Sequence, residues 1–225
     1  NYLAELARLQ EDDLADPESA HASWQRTFDL DPSHREAVAA LERIHRKSDD
    51  WDALKSLFET ALLATGESDE AEAATLSASL GMLLLEHFDD PEGARIRFES
   101  VLASVPRYRP AGLGLRRVAE ETGDSELLLD VCEKEAEGCG DSGQMTELAR
   151  TAIPILQGSK RIEEALVWAM RWSQAVPASR EAFTQRADFQ RQLRQVDAEI
   201  ETRQNLAKLL EGRECVDSLQ RQAEL

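Results

Sequence analysis

The sequence of 225 residues predicts an all-α fold, an α-solenoid of about six antiparallel helix–turn–helix hairpins, and three observations carry that prediction. The first is composition: Leu, Ala, Glu and Arg dominate, β-branched runs are missing and aromatic residues make up only 5%, a mix that favours helix throughout. The second is a ruler of alanines and prolines. Ala20 precedes Pro32, Ala94 precedes Pro106 and Ala165 precedes Pro177, each time by twelve residues. The third is a matching ruler of larger residues and glycines, in which Leu54 precedes Gly66, Leu128 precedes Gly140 and Ile200 precedes Gly212, again by twelve.

The six anchors interleave at spacings of 34, 40, 34, 37 and 35, and a period near 34 is the mark of stacked two-helix units. A longer beat lies above it. The prolines are separated by 74 and 71 residues, the glycines by 74 and 72. Arg35, Arg109 and Arg180 keep that register, as do Ala37, Ala111 and Ala182, then Ile44, Val118 and Phe189, and the tripeptides at Gly66–Ser68 and Gly140–Ser142. The chain therefore reads as a single repeat domain of three four-helix modules, approximately 1–67, 68–141 and 142–212, with an additional helix over 213–225 that begins near Glu214.

Taken in order, helices are expected over 2–14, 17–30, 34–47, 50–64, 69–87, 91–104, 109–122, 125–138, 143–157, 161–175, 179–193 and 196–211. A small side chain where paired helices approach most closely lets them meet, which is the demand that Ala20, Ala94 and Ala165 satisfy. Proline cannot continue a helix and glycine accepts the left-handed cap that closes one, so each ruler ends on a stop. Asp89, Asp90 and Pro91 read as an N-cap region with proline in the first turn, and Ser68 and Ser142 are placed to cap the long helices that follow them. The spacing of 40 gives extra length to helix 69–87 or its flanks, and Pro154 should kink or break its helix.

The alanine, the aromatic four residues on and the proline eight beyond it resemble the second helix of the tetratricopeptide repeat. Ala94, Phe98, Val101 and Pro106 sit where that motif has alanine, an aromatic, alanine and proline; Ala20, Trp24 and Pro32 follow, and Ala165 and Pro177 keep the frame with Ala169 at the aromatic position. The first helices lack the family's Trp, Leu-Gly and Tyr signature, with Leu41 and Leu115 partial matches, and the glycine-ended units diverge further. Such alternating, degenerate units look like the long tetratricopeptide-type arrays of large bacterial proteins. The resemblance implies a right-handed superhelix whose concave groove, lined by the first helix of each hairpin, binds protein or peptide segments, and it implies no reaction.

The formal net charge is −18, which repels phosphate backbones and anionic membranes and argues against nucleic acid as a partner. Acid on this scale also serves solubility alone. Apolar runs such as Ala165–Met170 are far too short to cross a bilayer. Cys132, Cys139 and Cys215 form no CxxC pair and are odd in number, so a reducing, cytoplasmic location is the simpler reading. The sequence starts without methionine and both of its ends fall within helical patterns, which suggests a piece of a larger protein.

No catalytic constellation is visible. His21, His34, His45 and His87 form no HExxH and no cluster with the cysteines, so no metal or other cofactor is expected. Carboxylate pairs such as Glu120–Glu121 and Glu163–Glu164 read as solvated faces. The Gly112–Leu115 stretch lacks the third glycine and the preceding strand of a phosphate loop. Trp51, Trp168 and Trp172 read as packing residues, with groove anchors as the alternative.

The candidate binding residues are basic. Arg43 and Arg117 hold one place in the first two modules, with Arg46, Lys47 and Arg116 beside them and Arg150 in the next unit, whereas Asp188 takes the corresponding place in the third module. They form either a strip that grips an acidic segment or a chain-end carboxylate, or a set of ion pairs with neighbours such as Glu42 and Glu120. Arg35, Arg109 and Arg180 oppose the helix dipole at their helix starts and are expected to make inter-repeat salt bridges. The expected function is that of a non-catalytic scaffold binding a protein or peptide; an architectural spacer or self-associating rod is the alternative.

Overall fold

The computed structural model describes residues 2–12, 14, 16–66, 69–137 and 139–210. Among them are twelve helices and no strand: α1 (Tyr2–Asp12), α2 (Pro17–Leu30), α3 (Arg35–Lys47), α4 (Trp51–Thr65), α5 (Glu70–His87), α6 (Pro91–Ser104), α7 (Arg109–Thr122), α8 (Ser125–Ala136), α9 (Ser142–Gly158), α10 (Ile162–Ala175), α11 (Arg180–Gln192) and α12 (Val196–Leu209). Glu67 and Ser68 of the first tripeptide, Gly212, Cys215 and the helix expected from Glu214 lie outside the described residues. Contacts divide the chain into two compact units, Asn1–Gly123 and Asp124–Leu225. The first holds α1 to α7 and the second α8 to α12, each helix packing on the next within its unit.

Starts and stops follow from side-chain chemistry. Asp16, Asp50, Asp69, Asp90, Asp124 and Asp141 each accept a backbone N–H of the first turn that follows, capping α2, α4, α5, α6, α8 and α9. Part of the chain's acidity is thus spent on helix starts. Ser142 does not cap α9: it is the first helical residue, and Asp141 takes the cap with bonds from Gly143 and Gln144. Each ruler proline stands just past a helix end, Pro32 after Asp31, Pro106 after Val105 and Pro177 after Val176. Gly66 closes α4 at φ 56°, a backbone that glycine alone adopts cheaply. Gly140 closes nothing, because α8 already ends at Ala136 with Glu137 as its cap. Pro154 leaves α9 unbroken from Ser142 to Gly158, and the extra length is in α5, the longest helix at 18 residues.

A turn that the rulers overlook recurs. Asp49, Asp89, Lys160 and Arg194 have φ of 50–60° and stand directly before the N-caps of α4, α6, α10 and α12. Gly123 takes the same left-handed region after α7. Within each unit this one-residue left-handed turn reverses the chain at minimal length, and its four instances there use a residue that bears the strain of a Cβ.

The apolar core runs along the rulers. Ala20, Leu54, Ala94, Leu128 and Ala165 are buried, as are Trp24, Phe98 and Ala169 at the aromatic positions. Ile200 departs from the frame and is half-exposed, because α12 turns Glu199, Thr202 and Arg203 inward instead. Phe98 shows how tightly the hairpins meet: a Cβ on Gly81 of α5 would lie 2.8 Å from its ring, and one on Gly114 of α7 closer still. Gly114 therefore belongs to a helix contact, and Leu80–Gly81 supplies in α5 the leucine–glycine pair that the motif comparison passes over.

Candidate functional site

Ion pairs between alternate helices fix the layout of the first unit. Arg8 of α1 pairs with Glu36 of α3, and Glu11 of α1 with Arg43 of α3 at 2.9 Å. Arg35 of α3 reaches Asp69 and, at 3.3 Å, Glu72 of α5. Tyr108 donates to Thr75 across α7 and α5 at 3.2 Å, and Arg117 of α7 pairs with Glu86 of α5 at 2.6 Å. Low residue numbers meet low and high meet high, so alternate helices run parallel, as a succession of antiparallel neighbours requires. The odd-numbered helices α1, α3, α5 and α7 form one layer of this unit, stitched side by side.

The stitches leave a face. Leu9 and Leu113 are each 47% exposed, Ala39 is exposed and Met82 is half-exposed, all on odd-numbered helices. Apolar and small side chains thus lie among rows of paired charges. The candidate basic residues are part of those rows. Arg43 and Arg117 occupy one register place because they make one kind of bond, each reaching back to a glutamate on the preceding odd helix. Arg117 also takes Glu121 at 2.9 Å, in preference to the expected Glu120, and its two carboxylates, Glu86 first, hold the guanidinium more firmly protonated. Arg46 pairs with Glu42 one turn earlier, Lys47 ends α3 exposed, and Arg116 is half-buried on α7. Arg150 belongs to the second unit, where it pairs with Glu181 of α11 at 2.5 Å and lies over the Trp172 ring.

The arginines at helix starts divide. Arg35 makes the expected inter-repeat bridge; Arg180 donates Nε to the Leu209 carbonyl at the end of α12; Arg109 is exposed, and its neighbour Tyr108 carries the link between helices. The tryptophans are mostly core. Trp172 is buried with its indole N–H on Thr146 at 3.0 Å, Trp168 is buried, and half-buried Trp51 stacks on His87 at 3.6 Å. Among the described residues no three His, Cys, Asp or Glu side chains are grouped to hold a metal, and no helix is long and apolar enough to cross a membrane.

What the sequence reading misses is the pair Glu199–Arg203. Both residues are 1% exposed and bonded at 2.8 Å, and Arg203 also reaches Asp188 at 3.3 Å. Counted from the anchors, Arg203 stands where the earlier modules have Leu57 and Val131, both buried. A charge at an apolar register position, facing an aspartate where the earlier modules have arginine, was the available signal.

No protein-family model matches the chain, and no curated protein is significantly similar to it in sequence. Several solved structures resemble it in backbone at low identity. A crystal structure of PilW, a widely conserved type IV pilus biogenesis factor, shares 20% identity over 97% of each chain with a TM-score of 0.46. PilF of Pseudomonas aeruginosa shares 16% over 100% of this chain and 96% of its own, with a TM-score of 0.48. YrrB, described as a TPR protein with an unusual peptide-binding site, shares 13% over 89% and 97%, with a TM-score of 0.49. The alanine–aromatic–proline helices, the parallel stitching of alternate helices and the absence of strands among the described residues make this chain a tetratricopeptide-like helical repeat.

Proposed function

We propose that the chain is a non-catalytic protein-interaction module that receives a protein or peptide segment on the exposed face of the odd-numbered helices of its first unit. The observation that carries this reading is that face in the first unit: half-exposed Leu9, Met82 and Leu113 among inter-helix ion pairs, on helices positioned by their buried faces. A preorganised surface of this kind binds without first ordering itself. Arg43, Arg46, Lys47, Arg116 and Arg117 border it, and a partner with an acidic segment would exchange with Glu11 or Glu86 for the guanidinium groups of Arg43 and Arg117; Arg150, in the second unit, would offer its guanidinium separately, in exchange with Glu181. Exposed pairs are worth only about 0–1 kcal/mol, so such an exchange is cheap. That one solved neighbour is described as having a peptide-binding site is compatible with this reading, and the odd number of cysteines favours a cytoplasmic setting.

The pairing also favours the second reading, an architectural spacer, because arginines engaged within the chain serve rigidity. A pulldown with the chain and with an Arg43→Glu/Arg117→Glu variant separates the two. A partner retained by the first and lost by the second, with helicity unchanged by circular dichroism, supports the binding module; an unchanged partner list rejects the basic border. Leu113→Lys tests the apolar part of the face in the same way.

A further inference from the structure

The second unit has an open trough on its even-numbered helices. α8 and α10 run parallel, tied at one end by Arg161 to Glu126 at 2.9 Å and at the other by Arg171 to Glu133 at 2.6 Å. Between these straps lies a cavity of about 360 Å³, at the lower end of the range for ligand sites. Its floor is apolar: buried Leu129, Leu156 and Trp168, with Val167 left 47% exposed. Its rim is acidic, with Glu126, Asp130 and Glu133 on α8 and Glu164 on α10 against one lining cation, Arg161.

We propose that this trough docks a polypeptide segment presenting a lysine or arginine beside an aliphatic side chain. The choice of occupant rests on charge and shape together. The four lining carboxylates stand against Arg161, Arg171 and Lys134, which pair with them, so the trough keeps one negative charge in excess in a chain of net charge −18, a balance that disfavours an acidic segment or a nucleic acid. Long basic side chains have an apolar stem and a cationic head, the same order as this floor and rim. The straps need not open. Arg161 is committed to Glu164 and Glu126, Glu164 first in effect, which holds its guanidinium firmly protonated, and Arg171 lies over the Trp168 ring while bonding Glu133.

Asp130 is the receiving group. It stands on α8 between the two straps, and the partner it has is Lys134 of its own helix, at 2.7 Å in an exposed pair. An incoming ammonium or guanidinium displaces Lys134 to solvent and takes its place on Asp130, while its stem covers Val167. The trough opens between α8 and α10 over Leu156 of α9, all in the second unit, and shares no residue with the face assigned above in the first.

The test is an NMR shift titration of the whole chain at low salt with the blocked peptide acetyl-Gly-Leu-Lys-Leu-Lys-Gly-amide and its glutamate and norleucine counterparts. The lysine peptide is expected to move α8 and α10 amides and to bind about tenfold more tightly than either counterpart, the factor that one charge-assisted contact supplies. Asp130→Lys should remove that preference, Lys134→Ala should strengthen binding several-fold, and Glu92→Lys, exposed on α6 with the same charge change, should leave it intact. Circular dichroism shows whether each variant keeps its helices. Equal binding of the three peptides, shifts centred outside α8 and α10, or an Asp130→Lys variant that binds as before overturns the proposal. So does equal weakening by Glu92→Lys, which would reduce the effect to overall charge.

Discussion

The packing around Phe98 and the packing around Arg203 answer one question by opposite means. In α5, α6 and α7 the helices meet because Gly81 and Gly114 carry no side chain and the Phe98 ring, 0% exposed, fills the space. In α11 and α12 the corresponding depth is reached by Arg203 and Glu199, and the burial leaves Oε2 of Glu199, Oγ1 of Thr202 and Oε1 of Gln190 without hydrogen-bond partners. The first solution is apolar and complete. The second places a charge at an apolar position and neutralises it locally, which costs desolvation that the pair only partly returns. A repeat, then, constrains where a side chain must be and how much room it has, and leaves its chemistry open.

Substitutions can break this contrast or sharpen it. Phe98→Ala should cost about 3–5 kcal/mol in denaturant unfolding, since no side chain at either glycine can fill the space. Arg203→Leu alone should cost about 3–5 kcal/mol by stranding the Glu199 carboxylate, whereas Glu199→Leu with Arg203→Leu should be neutral or stabilising by about 1–4 kcal/mol. If the double variant were as unstable as the single, the two regions would not differ in the way described. Gly114→Ala should cost about 1–3 kcal/mol by overpacking, while Lys160→Gly, at φ 60°, should gain about 0.5–1 kcal/mol by releasing a left-handed residue.

The smallest effect is acid sensitivity at His45. Burial, aided by His21 and opposed by Asp50, holds its imidazole below the usual 6.5. The unfolded chain therefore binds the proton more readily, so this contribution is complete above about pH 6.5 and is lost as pH falls toward the folded value. The unfolding midpoint should drop less between pH 7.5 and 5.5 in His45→Gln than in the parent protein.

Helix positions were legible in the sequence to within a few residues, because proline and aspartate punctuate backbone geometry locally. The left-handed turns were less visible, since Asp49, Lys160 and Arg194 have no glycine to announce them. The rulers also implied that Gly140 would cap and that Ile200 would be buried, and both failed where a local alternative was better: α8 stops at Ala136, and α12 rotates toward its ion pair. The candidate arginines were found by register, but their partners were not, because Glu11 and Glu86 lie 32 and 31 residues away and only the parallel alternation of helices brings them close.

Asp69 closes two circuits with one carboxylate. One oxygen accepts the Glu72 N–H that starts α5, the other takes the guanidinium of Arg35 on α3, and both influences, the backbone N–H foremost, keep the group ionised to lower pH than an ordinary aspartate. Nucleation of one helix is thereby coupled to its docking on the last. Removing that carboxylate, as in Asp69→Ala, therefore takes away the cap of α5 and a tie between α5 and α3 in one substitution.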